Sequence, residues 1–376
     1  MRRTRMVGLS LAFLFSASLV SCGKKDSPLS TGEIGVIQDT KFGSILMGIP
    51  LEDFNSLGFS FGDGIDISFT NGFKIENIPY YNGYYVPTGE LVACGYPGYE
   101  HISITRAQGN SLWSESKVTA DTKMTVTLHE KGEYLSVQNA LNLSYSNKRE
   151  DYSSDPEFAN FRFLAGGKLK KDFVFRSASC CDDSRNRASY ADALAKANNI
   201  QYVFNLGDSK EELASNVLAN GAAAPYYASL YEKGDVLAMD LGTDYTSESY
   251  TKEVADAFYS ITDKKGPFLV HCLEGKDRTG VFCALLLALS KASLGEIKKD
   301  YMLTYKNYYG ITEEATPERY EAVSSMYFGN LLLVLTGEIE ESKVHEDALF
   351  AGAESYLEKG GLTKEQISAI ETCLIS

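Results

Sequence analysis

The sequence predicts two domains of different class: a small all-β domain, a barrel or a sandwich, over residues 32–143, and an α/β domain over residues 155–376 with a largely parallel sheet flanked by helices. The length of 376 residues fits two domains at roughly 150 residues each. Apolar and polar residues alternate in the first part of the chain, whereas strand and helix patterns alternate in the second. Hydrophobic residues at 44% and charged residues at 23% exclude a disordered chain and a multi-span membrane protein.

Stretches of period 2 predict strands in the first domain. Residues 65–69 and 124–128 alternate between apolar and polar side chains, and turn formers such as Asn82-Gly83 and Pro97-Gly98 interrupt such stretches. No convincing helical stretch is present in this domain. The polar residues 144–154 predict a linker to the second domain.

Strands and helices alternate in the second domain. Apolar runs predict buried strands at 173–175, 202–204, 236–239 and 267–271. Helical patterns cover 188–197 and 250–261, and capping boxes begin further helices after Ser293 and after Thr363. Short strands joined by helices favour a largely parallel sheet.

Charge and metal-ligand content exclude several classes of function. Fifty acidic residues against 36 basic ones give a formal charge of −14, and such a field repels the phosphate backbone, so nucleic acid is not an expected partner. The four His are too few and scattered for a metal site, and the seven Cys lack the paired C-x-x-C spacing of zinc sites. We therefore expect no metal and no other cofactor.

The N-terminal residues predict export and a lipid anchor. Several Arg precede a mostly apolar stretch, residues 6–20, that is too short to span a membrane. The L-V-S-C that ends at Cys22 resembles the lipobox of bacterial lipoproteins, which implies a cleaved signal peptide, residues 1–21, and lipidation of Cys22. An ordinary secretory signal that contains a Cys is the alternative. Residues 22–31 then form a polar tether, and we expect an extracytoplasmic protein that is lipid-anchored to a bacterial membrane.

The chemistry of the chain is concentrated in one segment, His271-Cys272-Leu273-Glu274-Gly275-Lys276-Asp277-Arg278-Thr279-Gly280. It lies between a predicted strand and the apolar helix 281–289, and a loop at a helix N-terminus aims its backbone N–H groups at one anion. We expect the following residues of this loop to bind the phosphate: Leu273, Glu274, Gly275, Lys276, Asp277 and Arg278. Among such donors the thiolate of Cys272 is favoured, and the Arg278 guanidinium can donate two hydrogen bonds to a phosphate. The segment thus predicts phosphoryl transfer through a phospho-cysteine.

This segment has the H-C-x5-R-[ST] signature of the cysteine-dependent protein tyrosine phosphatases, and its fuller H-C-x-x-G-K-D-R-T-G resembles one bacterial branch of that family. The resemblance implies a phosphatase fold over residues 155–376. Members act on phosphotyrosine, sometimes on phosphoserine/threonine and phosphoinositides, so the expected partner is a phosphorylated protein or a phosphoinositide. A protein tyrosine or dual-specificity phosphatase is the expected function. A phosphoinositide or inositol-phosphate phosphatase and a phosphate-binding pseudoenzyme are the alternatives, and the intact Cys272 and Arg278 argue against the last.

Further segments are similar to the family's pattern: Asn160-Phe161-Arg162 with Gly166-Gly167, then Phe175-Arg176-Ser177, and Asp300-Tyr301-Met302-Leu303-Thr304. Two positions depart from it. Phe163 stands where the family usually has Asp, and Asn205-Leu206-Gly207 replaces D-L-R. An intact loop with altered supporting positions predicts a changed substrate choice more than a dead enzyme.

The resemblance also implies roles for individual residues of the loop. Cys272 is the nucleophile, and Arg278 binds the phosphate and the charge that develops in the transition state. His271 orients the loop and helps keep the sulfur ionised. Thr279 donates its hydroxyl to the sulfur when Cys272 becomes the leaving group.

A general acid must protonate the departing oxygen, and two regions offer one. Asp277 in the loop is the acid proposed for this branch of the family. The commoner arrangement places an Asp on a separate upstream loop, where Asp240 and Asp244 stand.

Lys276 adds a positive charge that suits a multiply phosphorylated lipid head group, although Glu274 partly offsets it.

The first domain resembles a different family. Residues 32–43 are similar to the G-E-V-x-x-I-D-x-F-G-N opening of the C-terminal β domain of the S-adenosylmethionine hydroxide adenosyltransferases, although the final Asn is missing. The similarity continues to about residue 130 and does not cover the domain that supplies most of that family's nucleoside site. It therefore implies a fold and not an activity, and we expect a binding or spacer domain whose ligand is unknown.

Overall fold

The structure is a computed structural model that describes residues 28–40, 42–87, 89–107 and 111–375. The predicted signal peptide, the lipidation site Cys22 and the start of the tether lie outside these residues. The described chain contains a closed β-barrel followed by an α/β domain built on a five-stranded sheet. Both predicted fold classes are therefore confirmed.

The barrel has the strands β1 Ser30–Gln38, β2 Ile45–Pro50, β3 Gly64–Phe69, β4 Lys74–Tyr81, β5 Leu91–Cys94, β6 His101–Arg106 and β7 Lys123–Glu130. They close in the order β1-β2-β6-β5-β4-β3-β7. Neighbouring strands are antiparallel except for β4 and β5, which are parallel. These two strands pair only at Tyr80 with Ala93 and at Tyr81 with Cys94.

The interior of the barrel follows from the alternation in the sequence. Ile65, Ile67 and Phe69 of β3 and Met124 and Val126 of β7 are buried in its core. Side chains at every second position of a strand point to the same face, so these residues fill the barrel while their neighbours face outward.

Three short helices also belong to this domain: α1 Leu51–Ser56, α2 Leu112–Ser116 and α3 Leu135–Leu141. The prediction of no helix in this region is therefore wrong. The longest of the three has seven residues, and such a length is too short for a helical period to stand out from the sequence.

The sheet of the second domain consists of β8 Arg162–Phe163, β9 Val174–Ser177, β10 Tyr202–Asn205, β11 Val236–Ala238 and β12 Phe268–His271. Its order is β11-β10-β12-β9-β8, and every pair is parallel except β8 with β9. The register pairs His271 with Asn205 on one side and with Ser177 on the other. Because parallel strands end at the same edge of a sheet, the segments that follow these three residues lie together.

Eleven helices are described in this domain: α4 Asp155–Phe158, α5 Ala188–Ala197, α6 Lys210–Asn220, α7 Pro225–Glu232, α8 Glu248–Ser260, α9 Asp277–Leu289, α10 Leu294–Tyr309, α11 Pro317–Val323, α12 Gly329–Thr336, α13 Glu346–Lys359 and α14 Lys364–Leu374. Helices α5–α7 and the later helices contribute to two separate apolar clusters of the domain. Both predicted capping boxes are present, Ser293 with Glu296 at α10 and Thr363 with Gln366 at α14. All residues of α9 from Thr279 onward are buried, which makes it the central helix of the larger cluster.

Helices α11 and α12 continue into each other through a π-helical turn, Ser324–Phe328. Among the described residues the run Pro317–Lys343 is long and apolar enough, by length and composition, to cross a membrane. Leu331, Leu332 and Leu335 of this run are buried in the core of the α/β domain. These three side chains therefore pack inside the domain.

Residues 144–154, the predicted linker, are packed against the α/β domain around Arg187. This arginine is 1% exposed and donates to the carbonyl oxygens of Phe158 at 2.7 Å and Ser146 at 3.0 Å. Four aromatic rings surround its guanidinium at 4.3–5.3 Å from their centroids, those of Tyr145, Tyr152, Phe158 and Tyr308. Cation–π contacts and hydrogen bonds thus hold the connection between the two domains in place.

Candidate active site

The loop between β12 and α9 has the strand-loop-helix arrangement of an anion site. β12 ends at His271, and α9 begins at Asp277. Gly275 has a φ of +63°, and a Cβ on this residue would lie 2.1 Å from the carbonyl oxygen of Ser177. Only glycine fits this close approach, so the shape of the loop depends on Gly275. A loop of this shape at a helix N-terminus presents its N–H groups to a bound anion.

Cys272 and Arg278 lie at the two ends of this loop. Cys272 is the first residue after β12 and is 4% exposed. The Nη1 of Arg278 donates to the carbonyl oxygen of Leu241 at 3.0 Å and, more weakly, to that of Gly207 at 3.4 Å. The arginine is therefore held among the segments that follow β10 and β11, on the side of the sheet edge where Cys272 also lies.

Gly207 borders both of these residues. A Cβ built on it would lie 3.6 Å from the Cα of Cys272 and 3.6 Å from Nη1 of Arg278. This is one of the positions where the chain departs from the family's D-L-R. The wall of the site next to the nucleophile consequently has no side chain where related chains usually carry an arginine.

His271 is fully buried directly before the nucleophile. Its Nδ1 lies 3.3 Å from the carbonyl oxygen of Cys272, and its Nε2 lies 3.1 Å from the hydroxyl of Tyr227. Burial lowers the pKa of His271 to about 4, although the charge of Asp208 opposes this shift. The imidazole is therefore neutral near pH 7, with Nδ1–H assigned as the donor and Nε2 as the acceptor. It orients the start of the loop by hydrogen bonds and adds no positive charge next to the sulfur.

Thr279 is fully buried in the first turn of α9. Its Oγ1 has no hydrogen-bond partner in the part of the chain that the structure describes. Buried hydroxyl groups nearly always have a hydrogen-bond partner, so the Thr279 hydroxyl is available to donate to a group in the loop.

The three candidate acids have different surroundings. The Asp277 side chain is 50% exposed, and its carboxylate lies 3.7 Å from Nζ of Lys276. Asp240 is exposed with a φ of +48°, and it directly precedes Leu241, whose carbonyl oxygen binds Arg278. The Asp244 carboxylate accepts hydrogen bonds from the N–H and the hydroxyl of Thr246 at 3.2 and 3.1 Å. Asp244 therefore stabilises its own turn, whereas Asp277 and Asp240 are not tied in this way.

Lys276 is enclosed by groups that neutralise it. Its Nζ lies 3.3 Å from the Tyr309 hydroxyl, 3.5 Å from the Glu274 carboxylate and 3.7 Å from that of Asp277. Burial pulls the pKa of Lys276 down, but these neighbours outweigh burial and hold the pKa well above its usual value. The Glu274 carboxylate also accepts a hydrogen bond from Tyr145 of the interdomain segment. The positive charge predicted beside the site is thus present but largely compensated.

A buried polar network supports the loop from below. The carbonyl oxygen of Gly275 accepts from Arg176 Nη2 at 2.7 Å and from Asn160 Nδ2 at 3.0 Å. Arg176 and Arg162 both bind the carboxylate of Asp300, at 2.5 and 2.8 Å. Burial pushes the pKa of Asp300 up, but the two arginines outweigh it and hold the pKa below its usual range. The turn of the loop is therefore fixed by a charge cluster away from the reacting atoms.

These network residues stand in the three supporting motifs of the sequence. Asn160 and Arg162 belong to N-F-R, Arg176 to F-R-S and Asp300 to D-Y-M-L-T. The sequence alone shows these motifs but not what they do. Their common task becomes visible only when the fold brings three distant segments under one loop.

Sequence reasoning missed Asp208. It directly follows Gly207, and its carboxylate accepts from the amide groups of Asn205 at 3.0 Å and Asn216 at 3.2 Å. Its charge raises the pKa of His271, against the larger effect of burial. No motif marks this residue, because it stands in the segment where the chain departs from the family's pattern.

No group of three or more His, Cys, Asp or Glu side chains is placed to hold a metal ion within the described ranges. A buried cysteine, an arginine and a helix N-terminus grouped at the carboxyl edge of a parallel sheet define a cysteine-based phosphatase. The sequence model of the tyrosine phosphatase family matches residues 156–376, which is more than half of the chain. The chain therefore belongs to the tyrosine phosphatase family.

Two solved structures are similar to parts of the chain at low identity. One is an uncharacterized conserved protein from Thermotoga maritima, with 18% identity and a TM-score of 0.23, and the match covers 30% of this chain and 42% of that one. The other is the core catalytic domain of the PP-IP phosphatase SIW14 from S. cerevisiae in complex with citrate, with 16% identity and a TM-score of 0.27. That match covers 45% of this chain and 85% of the yeast domain. No curated protein matches the chain.

Proposed function

We propose that the protein is a protein tyrosine or dual-specificity phosphatase that works through a phospho-cysteine intermediate. The observation that carries the proposal is the position of Cys272, buried at the start of a loop whose curl is set by Gly275 and whose far end carries Arg278. A thiolate, a guanidinium and backbone amides around one anion are what an in-line phosphoryl transfer needs.

The reaction has two displacements at phosphorus. The Cys272 thiolate attacks, the ester P–O bond breaks, and the departing oxygen takes a proton from a carboxylic acid, for which Asp277 is the proposed residue. Water then attacks the phospho-cysteine and gives a proton to the Asp277 carboxylate, which was deprotonated in the first step, and the S–P bond breaks. The Thr279 hydroxyl, which has no other partner in the described part of the chain, stabilises the sulfur as it leaves. Arg278 and the loop amides hold the phosphate throughout.

Charge around the site favours a substrate with a single phosphate group over a ring that carries several. Lys276 is the second cation of the loop, and Glu274 and Asp277 compensate it. A ligand with several phosphates gains most from cations that are not already paired. Phosphotyrosine has one phosphate on an aromatic side chain, and Arg278 and the loop amides are sufficient to bind that phosphate.

The decisive experiment is a phosphatase assay with an aryl phosphate, a phosphotyrosine peptide and an inositol polyphosphate. We expect the first two to be hydrolysed, and the Cys272→Ser variant to lose turnover by roughly 10⁴-fold or more while it still binds the phosphopeptide. Arg278→Lys should lose both rate and affinity, because an ammonium group cannot make the bidentate contact. Turnover by purified Cys272→Ser at the parent rate rules out the thiol mechanism, and exclusive turnover of the inositol polyphosphate assigns the alternative substrate class.

We also propose that the protein works outside the cytoplasm on a lipid anchor at Cys22. The L-V-S-C lipobox supports this proposal. The substitution Cys22→Ser should release the protein from the membrane fraction or block its maturation. Equal membrane fractionation of variant and parent excludes the anchor.

A further inference from the structure

A chain of buried hydrogen bonds leads from the end of β10 to the catalytic loop. Asn205, the last residue of β10, is fully buried and pairs with His271 in the register of the sheet. Its Nδ2 donates to the hydroxyl oxygen of Tyr227 at 3.2 Å, and this hydroxyl lies 3.1 Å from Nε2 of His271. The Nδ1 of His271 in turn lies 3.3 Å from the carbonyl oxygen of Cys272. An amide side chain on the neighbouring strand is thus connected to the backbone of the nucleophile.

The amide of Asn205 has one orientation that satisfies all of its neighbours. Its Oδ1 accepts from the backbone N–H groups of Gly207 and Asp208, both at 3.1 Å, and these groups can only donate. The Nδ2 therefore faces the two remaining partners, the carboxylate of Asp208 at 3.0 Å and the hydroxyl of Tyr227. Both hydrogens and both lone pairs of the amide are then in use. The chemistry of its partners thus fixes the direction of every hydrogen bond that Asn205 makes.

This orientation decides which nitrogen of His271 carries the hydrogen. Because Asn205 donates to the oxygen of Tyr227, the hydroxyl hydrogen of Tyr227 is left to be donated to Nε2 of His271. Nε2 then accepts, and Nδ1 carries the hydrogen that faces the carbonyl oxygen of Cys272. A lone pair on Nδ1 would instead face the lone pairs of that oxygen, so the other end of the ring selects the same tautomer. A neutral imidazole satisfies both contacts.

A carboxylate at position 205 would reverse the chain. Carboxylate oxygens accept and cannot donate, so the Tyr227 hydroxyl would donate to the carboxylate and would be left to accept from His271. The ring would then need a hydrogen on Nε2 for Tyr227 and another on Nδ1 for the carbonyl of Cys272, which makes it an imidazolium. In this chain position 205 is an amide, and the carboxylate stands three residues later, at Asp208.

We propose that Asn205 is a positioning residue that acts through the Tyr227 hydroxyl to keep His271 neutral, with its hydrogen on Nδ1. Asn205 contacts no reacting atom and acts by fixing the positions of protons beside the loop. The consequence for catalysis rests on the phosphatase function above: a neutral His271 leaves Arg278 and the loop amides to hold the negative charge at the site.

Charged side chains near His271 set the conditions for a test. Burial lowers the pKa of His271 to about 4, the carboxylates of Asp208 and Asp182 act to raise this pKa, and Arg278 acts to lower it. The Tyr227 hydroxyl is the titratable group in hydrogen-bond contact with Nε2. A new carboxylate would act on the ring through space as well as through Tyr227, so the test must keep the net charge constant.

The test exchanges the two side chains in the double variant Asn205→Asp/Asp208→Asn, which keeps the net charge and avoids two carboxylates facing each other. Nitrogen-15 NMR of the full chain distinguishes a ring nitrogen that carries a hydrogen from one that does not, and comparison with His271→Asn assigns the signals. The parent should carry a hydrogen on Nδ1 alone from about pH 5 to 8. In the exchanged variant the pH at which Nε2 takes up a hydrogen should rise by roughly 1–3 units, the usual effect of a nearby opposite charge.

The reactivity of Cys272 gives a second measurement. A cation beside Cys272 favours the thiolate, and the thiolate is the form that reacts with iodoacetamide. At a pH where only the exchanged variant has a protonated His271, alkylation of Cys272 should be roughly 3- to 10-fold faster in the variant than in the parent. Mass spectrometry of the peptide that contains Cys272 separates this reaction from that of the other cysteines.

Tyr227→Phe separates the hydrogen-bond chain from the effect of charge. In the Tyr227→Phe background the exchange of Asn205 and Asp208 should no longer move the titration of His271. Asn216→Asp is the matched control, because Nδ2 of Asn216 also binds the Asp208 carboxylate, at 3.2 Å. Its added charge acts through space, so any shift that it causes should be the same with Tyr227 and with Tyr227→Phe.

Three results overturn the proposal. These are a parent whose His271 carries its hydrogen on Nε2 at neutral pH, a natively packed exchanged variant that titrates like the parent, and an equal shift in the Tyr227→Phe background. The measurement on the parent needs no substitution, so it stays decisive if the exchanged variant does not fold. Absence of aryl phosphate hydrolysis by the parent refutes the phosphatase function and leaves the NMR result on Asn205 standing.

Discussion

The barrel and the α/β domain bury different kinds of side chain. The core of the barrel is almost entirely apolar, and its buried carboxylate, Asp63, binds Lys131, whose side chain is 53% exposed. The α/β domain instead buries two arginines completely, Arg176 and Arg187, together with the neutral His271. Polar burial is therefore concentrated in the domain that carries the catalytic loop.

The energetic cost of buried charge is thus found beside the catalytic loop. A buried charge is expensive unless partners surround it, and an apolar core of equal volume is often as stable. The Arg162–Asp300–Arg176 cluster stands directly under Gly275, where it fixes the loop. Among the described buried residues of the barrel, Asp63 is the one charged side chain.

We expect the largest effect when Asp300, the carboxylate that both arginines bind, loses its charge. Asp300→Asn leaves Arg162 and Arg176 buried without a counter-charge, which costs about 3–5 kcal/mol of unfolding free energy. The loop also loses its support, so kcat should fall sharply. The matched change in the barrel, Asp63→Asn, should cost about 1–3 kcal/mol and leave kcat unchanged. Denaturant unfolding and aryl phosphate kinetics on both variants measure the contrast, and equal kinetic effects contradict it.

A second comparison lies within the α/β domain, where either the catalytic loop or the upstream loop supplies the general acid. If Asp277 protonates the leaving oxygen, Asp277→Asn should slow substrates with poor leaving groups by roughly 10²–10⁴-fold and affect an activated aryl phosphate much less. The dependence of rate on leaving-group pKa is the measurement that matters, because damage to Arg278 slows all substrates alike. Asp240→Asn and Asp244→Asn are the controls. A steeper dependence in either control, with none in Asp277→Asn, transfers the role to the upstream loop.

The two domains should respond to acid in opposite senses through their histidines. The pKa of His271 lies at about 4 in the folded protein, so the unfolded chain binds its proton first, and stability is lost as the pH falls from about 6.5 to 4. The loss is on the order of 3 kcal/mol, and His271→Asn should remove it. In the barrel, a hydrogen bond to Asp66 raises the pKa of the exposed His129, so its contribution is present at low pH and fades as the pH rises. Unfolding curves between pH 4 and 7 for parent and variant test this, and an unchanged slope in His271→Asn contradicts it.

The smallest expected effect concerns the connection between the domains. Tyr145→Phe keeps the ring that stacks on Tyr308 but removes the hydrogen bond to Glu274. A hydrogen bond to a charged group is worth about 1.5–3 kcal/mol, so unfolding free energy should drop within that range. Because Glu274 also faces Lys276, a small rise in KM should accompany the drop. A variant as stable as the parent shows that the interdomain segment is only a tether.

Much of the site was predictable because its chemistry is local. The segment from His271 to Gly280 specifies nucleophile, phosphate-binding backbone and arginine in ten consecutive residues, and the fold sets it between a strand and a helix as expected. The roles of Arg176 and Asp300 were not predictable in the same way, because 124 positions separate the two ends of their ion pair. Asp208 carries no sequence signal at all.

The sequence by itself determined the two fold classes, the strands and capped helices of the α/β domain, and the family to which the chain belongs, because periodicity, caps and a contiguous motif act over a few residues. Packing brings three distant motifs together under Gly275 and places the neighbours that compensate Lys276. Burial and long-range pairing create these features, and both depend on which distant segments the packed chain brings into contact.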